Sequence, residues 1–381
     1  MTPLRVLSIF GTRPEAVKMA PVVQALKQQR GVESRVCVTA QHREMLDQVL
    51  ELFHIQPDHD LDLMRPDQSL ADLTAGILTR LDPVLAKEKP DWVLVQGDTT
   101  TVMAAALAAF YRGIRVGHVE AGLRTGDKRQ PFPEEINRHL TTVLADLHFA
   151  PTERSRDNLL REGVPEARIR VTGNTVIDAL QQIIRTDAPP QVRAWLEEWG
   201  IRPGGRRLVL VTAHRRENFG DPIERICEAI KNLSQRYGND LRIVYPVHLN
   251  PNIQEPVYRL LDGVPEISLI KPVDYISLIH LIKNSAIVLT DSGGIQEEAS
   301  GLGKPALVLR EVTERPEGVD AGVLRLVGSN TDGIVREASR LLDDPDAYAE
   351  MARVTSLFGD GKAAGRIVEA LLHQPERSAM A

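Results

Sequence analysis

The sequence predicts an α/β fold of two doubly wound, Rossmann-like domains. Short β-branched runs alternate with longer amphipathic stretches, as an open parallel sheet wrapped by helices requires. A length of 381 residues suits about two domains. The alternation breaks near residue 183 and resumes near residue 207.

In chain order, the first set of strand candidates is "LRVLSIF" (4–10), "SRVCVTA" (34–40), "DWVLVQG" (91–97), "IRVGHVE" (114–120), "LHFA" (147–150) and "RIRVTG" (168–173), with helical patterns filling the gaps. Between Ile183 and Arg207, paired prolines and glycines bracket one short helical stretch, which reads as a linker. The second set is "RLVLVTA" (207–213), "LRIVYPV" (241–247), "EISLI" (266–270), "SAIVLT" (285–290), "PALVL" (305–309) and "AGVLRLV" (321–327). These runs divide the chain into a first domain at 1–182, a linker at 183–206, a second domain at 207–360 and a terminal helix at 361–381 that crosses back to the first. Sheets of this kind bind ligands at the carboxyl ends of their strands, so an active site is expected in the cleft between the domains.

Composition narrows the function classes. The chain is 43% hydrophobic and 26% charged with a net charge of -6, so no excess of positive charge points to nucleic acid or an anionic membrane. No apolar run approaches the ~18 residues of a membrane span, and "MTPLRVLSIFGTRPE" lacks a signal peptide's organisation, which places the chain in the cytoplasm. Cys37 and Cys227 lie in separate apolar segments without metal or redox spacing, and read as core thiols. No metal site and no cofactor are expected.

The most informative stretch is "TDSGGIQEEASGLGKP" (290–305), directly behind an apolar strand. A helix start carries unpaired N–H groups and a partial positive charge, so a strand, a glycine turn and a helix grip phosphate without side-chain cations. Gly293 and Gly294 let the backbone approach an anion, Ser292 offers a hydroxyl, and Glu298 one turn on suits the two hydroxyls of a ribose. The plainer reading is a strand-to-helix turn capped by Asp291 or Ser292. Rival nucleotide signatures fail: "GDGKAAG" (359–365) has the wrong spacing, and "GLGKPA" (301–306) has proline where a Walker loop needs serine or threonine.

Other strand ends carry further candidates. "GTRPEAVK" (11–18) opens a helix with Arg13 and Lys18 near its start, where cations are unfavourable unless an anion joins them. Arg13 is assigned to a diphosphate and Lys18 to its support. Asp98 ends a strand before an alanine-rich helix, where an N-cap and a catalytic carboxylate are compatible roles. Glu120 ends the next strand, as a site carboxylate or a partner of Arg124. Glu134 and Glu135 open a later helix, where acidic residues also occur for dipole reasons. His214, beyond the strand 207–213, suits a phosphate contact or a proton shuttle. His248 lies at another strand end, and Arg315 in a loop after a strand is a further anion contact.

Taken together, "GTRPEA", "QGDTTT", "HVEAGLRT", "PFPEEINR", "TAHRREN", "PVHLNP", "DSGGIQEE" and "TERPEG" resemble the non-hydrolysing UDP-N-acetylglucosamine 2-epimerases of bacteria, in order from residue 8 to about 318. The resemblance implies a glycosyltransferase-B type fold, a homodimer, and interconversion of UDP-N-acetylglucosamine and UDP-N-acetylmannosamine for cell-surface polysaccharide synthesis. It places the catalytic acids on Asp98, Glu120 and Glu134, choosing Glu134 over Glu135, and adds His214 as an essential group. Substrate contacts fall on Arg13, Lys18, Ser292, Gly293, Gly294, Glu298 and Arg315. A second UDP-N-acetylglucosamine, bound as an activator, would use Gln41, His42, Glu44, Gln68, Arg215 and His248. Two contacts of the pattern are altered: Asp67 stands where several members of the family have arginine, and Glu44 where some have glutamine. The alternatives are a glycosyltransferase of the same fold, a hydrolysing epimerase and a catalytically idle UDP-sugar sensor.

Overall fold

The computed structural model describes residues 2–39, 43–63, 65 and 68–374, apart from the side chains of Arg43 and Glu44. Two units emerge, one holding the chain up to Gln181 together with the segment from Phe358 on, the other holding Gln182–Leu357.

In the first unit, strands β1 (Leu4–Phe10), β2 (Val32–Val38), β3 (His59–Asp60), β4 (Trp92–Gln96), β5 (Arg115–Val119), β6 (Leu147–Ala150) and β7 (Ile169–Val171) form a parallel sheet in the order β3-β2-β1-β4-β5-β6-β7. Leu7, Ile9, Val93 and Val95 bury one face against Ala104, Ala105 and Ala108 of the helix Thr100–Tyr111. Small alanine side chains let that helix lie close to the strands. β3 is too short to give a period-two signal and was not among the sequence candidates. The helix Ala363–Leu372 packs on the helix Arg13–Gln28. The backbone amides of Ala363 and Ala364 donate to the Asp178 carboxylate at 3.2 and 2.9 Å.

In the second unit, strands β8 (Arg207–Thr212), β9 (Leu241–Pro246), β10 (Ile267–Ile270), β11 (Ile287–Thr290), β12 (Ala306–Val308) and β13 (Leu324–Leu326) follow the order β10-β9-β8-β11-β12-β13, again parallel. Residues 183–206, read from sequence as a linker, belong to this unit. Pro190 and Gly200 start and end a helix there whose Val192 and neighbouring Trp199 are buried, with Trp195 stacked on Trp199 at 5.7 Å. The prolines and glycines mark helix ends inside a packed unit.

Each sheet has one switch point, between β1 and β4 in the first unit and between β8 and β11 in the second, where the strand order reverses direction. Among the described residues, no helix is long and apolar enough to cross a membrane, and no cluster of His, Cys, Asp or Glu could hold a metal ion. Cys37 and Cys227 are buried, and burial pushes both thiols up to about 12.

Candidate active site

The first half of the candidate site grows from the carboxyl ends of β1, β4 and β5. After β1, the helix Arg13–Gln28 opens with a capping box. Thr12 Oγ1 accepts from Glu15 N, and the Glu15 carboxylate accepts from Gly11 N and Thr12 N at 2.8 and 2.7 Å. Glu15 is buried, which raises its pKa, while its hydrogen bonds, led by that from Thr99, lower it. Arg13 stands half-buried at the first helical position.

Lys18, one turn further on, does not point its charge at a helix-start anion. Its Nζ lies 2.6 and 2.7 Å from the two carboxylate oxygens of Glu120. Gln96 Nε2 and Asn174 Nδ2, the latter at 2.9 Å, donate to the same carboxylate. Glu120 is 6% exposed, and its backbone sits at φ 64°, a left-handed conformation that costs a non-glycine residue about 1 kcal/mol or more. Three side-chain donors thus fix both oxygens. Arg124, weighed from sequence as a partner of Glu120, pairs instead with Glu162 at 2.7 Å.

Asp98 follows β4, but the N-cap of the helix Thr100–Tyr111 is Thr99, whose Oγ1 accepts from Val102 N. The Asp98 carboxylate therefore serves elsewhere. Its Oδ2 accepts from Arg138 Nη2 at 2.6 Å, and its backbone carbonyl accepts from Asn137 Nδ2 at 2.9 Å. Asn137 and Arg138 lie three and four residues along the helix that Glu134 opens, so all three share a face. Glu134 is half-buried there. Glu135 is buried on a different errand: it accepts from Arg138 at 2.8 Å and from the backbone of Thr125 and Gly126 at 3.1 and 3.0 Å, fixing the preceding loop. Behind these groups His118 Nε2 donates to Gly97 O at 2.7 Å, and burial lowers its pKa to about 4.

The second half grows from the ends of β8 and β11. The helix Gly293–Gly301 begins after Ser292, which makes no side-chain cap, and its first turn holds no acidic residue. Arg315 is buried against that helix start: a Cβ added to Gly293 would meet its Nη1 at 2.5 Å and its Cζ at 2.8 Å. Glu297 holds the guanidinium through Nε at 2.6 Å. Space beside Gly294 is open, and Glu298 is buried within the helix. His214, beyond β8, comes to the side of Asp291, and its ring stacks on that of His248 with centroids 5.4 Å apart. Arg215 is half-buried and donates its backbone N–H to Asp291 at 2.8 Å. Gln68 is half-buried in the first unit. Gln41, His42, Asp67 and the side chain of Glu44 lie outside the described residues.

With this geometry in view, the family model for UDP-N-acetylglucosamine 2-epimerase matches residues 24–372. The chain belongs to this family. A UDP-N-acetylglucosamine 2-epimerase of Yersinia pestis is 57% identical over 97% of this chain and 98% of its own length. The Escherichia coli K12 enzyme of the same name is 54% identical, covering 97% of this chain and 98% of its own. The crystal structure of the Neisseria meningitidis UDP-N-acetylglucosamine 2-epimerase, bound to UDP-N-acetylglucosamine, is similar with a TM-score of 0.93. It has 50% identity and covers 97% of this chain and all of that one. The glycosyltransferase-B type fold implied by the motifs is that of these epimerase structures.

Sequence reasoning did not single out Gln96, Arg138 or Asn174 as parts of this candidate site, and took Asp291 only as a cap. Gln96 left a usable signal, a polar side chain closing an otherwise apolar strand. The other three acquire their roles only through partners dozens of residues away.

Proposed function

We propose that the chain epimerises UDP-N-acetylglucosamine at C2 to UDP-N-acetylmannosamine by losing and regaining UDP. The observation that carries this reading is the split of labour between the two units. One carries Glu120 and Asp98 at the ends of two neighbouring strands, with Glu134 on the helix whose Arg138 binds Asp98, and the other offers an uncapped helix start with Arg315 against it.

The C2 proton is not acidic in the substrate, because the acetamide carbonyl is attached through nitrogen and cannot stabilise a carbanion there. Cleavage of the C1–O bond sends its electron pair to the β-phosphate oxygen and leaves positive charge at C1. A carboxylate then removes the C2 proton, the C–H pair forms the C1–C2 double bond, and 2-acetamidoglucal and UDP result. Return of a proton to the opposite face of C2 and of UDP to C1 gives the epimer. Ser292, the N–H groups at Gly293 and Gly294, Arg13 and Arg315 favour the departing diphosphate more than the bound sugar, which makes them catalytic as well as binding groups. Glu298 takes the ribose hydroxyls. Two faces of C2 need two proton-handling groups, which the carboxylate cluster supplies. His214 serves the diphosphate end, and Lys18 acts through Glu120 rather than on phosphate.

Incubation with UDP-N-acetylglucosamine in D2O, without added NAD, metal or acceptor, should place deuterium at C2 in a UDP-linked mixture of both epimers. Sugar transfer that needs an acceptor, release of free N-acetylmannosamine, or no reaction would favour the glycosyltransferase, the hydrolysing epimerase or the sensor respectively. The homodimer reading draws support from an exposed apolar face on the helix Glu134–Leu144. The activator reading draws support from the stack of His248 on His214. A nucleotide sugar as substrate also fits a cytoplasmic protein.

A further inference from the structure

Asp291 follows β11 with its side chain fully buried, at 0% exposure. Its Oδ2 accepts three hydrogen bonds, from His214 N at 2.7 Å, Arg215 N at 2.8 Å and Asn218 Nδ2 at 2.9 Å. Its Oδ1 is equally buried, has no well-aligned hydrogen bond, and stands 3.3 Å from His214 Nδ1. Leaving a buried carboxylate oxygen without a donor is costly, and the imidazole is placed to supply one. The His248 ring stacks on that of His214, with centroids 5.4 Å apart. His248 Nδ1 accepts from Asn250 N at 3.1 Å, so that nitrogen is bare and its own proton sits on Nε2.

We propose that Asp291 is a positioning residue: it fixes a proton on Nδ1 of His214 and balances the imidazolium formed when Nε2 takes up another. Nε2 is then the nitrogen that delivers a proton or a charged hydrogen bond to the departing diphosphate, and takes the proton back on re-addition. The proposal rests on the assignment of His214 to the diphosphate end. A carboxylate behind the distal nitrogen is a general device for fixing a histidine's tautomer.

The substitution Asp291→Asn tests it without changing the shape of the side chain. Three N–H donors surround the Oδ2 position and only an oxygen can satisfy them. The asparagine oxygen must lie there, its NH2 faces His214 Nδ1, and Nδ1 must become bare. In the free protein, 15N NMR of labelled histidine should show His214 Nδ1 protonated in the wild type and bare in D291N. For UDP-N-acetylglucosamine, kcat should fall about a hundredfold while KM stays within about threefold. In a His214→Asn background, D291N should change kcat by no more than about threefold, because the two residues act as one unit.

A bare Nδ1 in the wild type, an undiminished kcat in D291N, or an equal loss with and without the His214 side chain would each overturn the proposal. The last outcome would leave Asp291 as a support for the backbone alone. If D291N does not fold, the wild-type ring spectrum decides. That spectrum needs no turnover, so its failure is separable from a failure of the epimerase reading, which shows as no deuterium at C2 with the wild type.

Discussion

Gly293 and Arg315 show how one missing side chain builds a site. The guanidinium lies where a Cβ on residue 293 would be, at 2.5 Å from Nη1, and Glu297 pins it from the far side. Substitution Gly293→Ala must push the arginine away from the helix start. The lost charge-assisted contact is worth about 1.5–3 kcal/mol, so kcat/KM for UDP-N-acetylglucosamine should drop roughly ten- to hundredfold. Gly294→Ala adds its methyl group to open space, so it should not lower the melting temperature. An unchanged kcat/KM in Gly293→Ala would show that Arg315 does not serve the substrate from this position. Most such residues were legible from sequence as types at strand ends. Their partners were not: Lys18 reads as support for a diphosphate because it lies near a helix start, and only the 2.6 Å contact with Glu120 reveals the group it holds. Of the two compatible roles read for Asp98, cap and catalytic carboxylate, the cap falls to Thr99.

At the scale of elements, two helix starts that look alike in sequence behave differently. The helix Arg13–Gln28 spends its first N–H groups on Glu15 and Thr12, whereas the helix Gly293–Gly301 has no side-chain cap. Its uncapped N–H groups and positive dipole end make the second the better candidate anion site. The helix Glu134–Leu144 serves two tasks with two faces. Asn137 and Arg138 reach Asp98, while Ile136, Leu140 and Val143 remain exposed on a helix that packs beside the one ending in Phe110 and Tyr111. Exposed apolar residues at i, i+4 and i+7 form a stripe suited to a second copy of the chain. Val143, 84% exposed, makes the simplest test. Val143→Glu should shift the sedimenting species from dimer to monomer without unfolding it. A wild-type monomer at micromolar concentration, or a dimer untouched by the substitution, would remove this face from consideration.

Across the whole molecule, every strand but β3 was legible to within three residues at each end, because both sheets are parallel and buried, so their strands are continuous apolar runs with polar closures. The boundaries were less so. The proline and glycine pairs around residues 183–206 mark turns, and turns occur inside a packed unit as readily as between two. The switch points could not be read at all, since strand order depends on which edges meet. They explain the distribution of the site, with Arg13 and Asp98 flanking one reversal, and His214 and Ser292 the other. Such an arrangement suits a reaction in which one set of groups holds UDP while another handles protons. The most direct measurement is a rapid-quench experiment with enzyme in excess over UDP-N-acetylglucosamine. Free UDP and 2-acetamidoglucal should appear together, in equal amounts, before the epimers reach equilibrium. Entry of solvent deuterium at C2 with neither species present at any time would contradict departure of the diphosphate as the step that makes the proton removable.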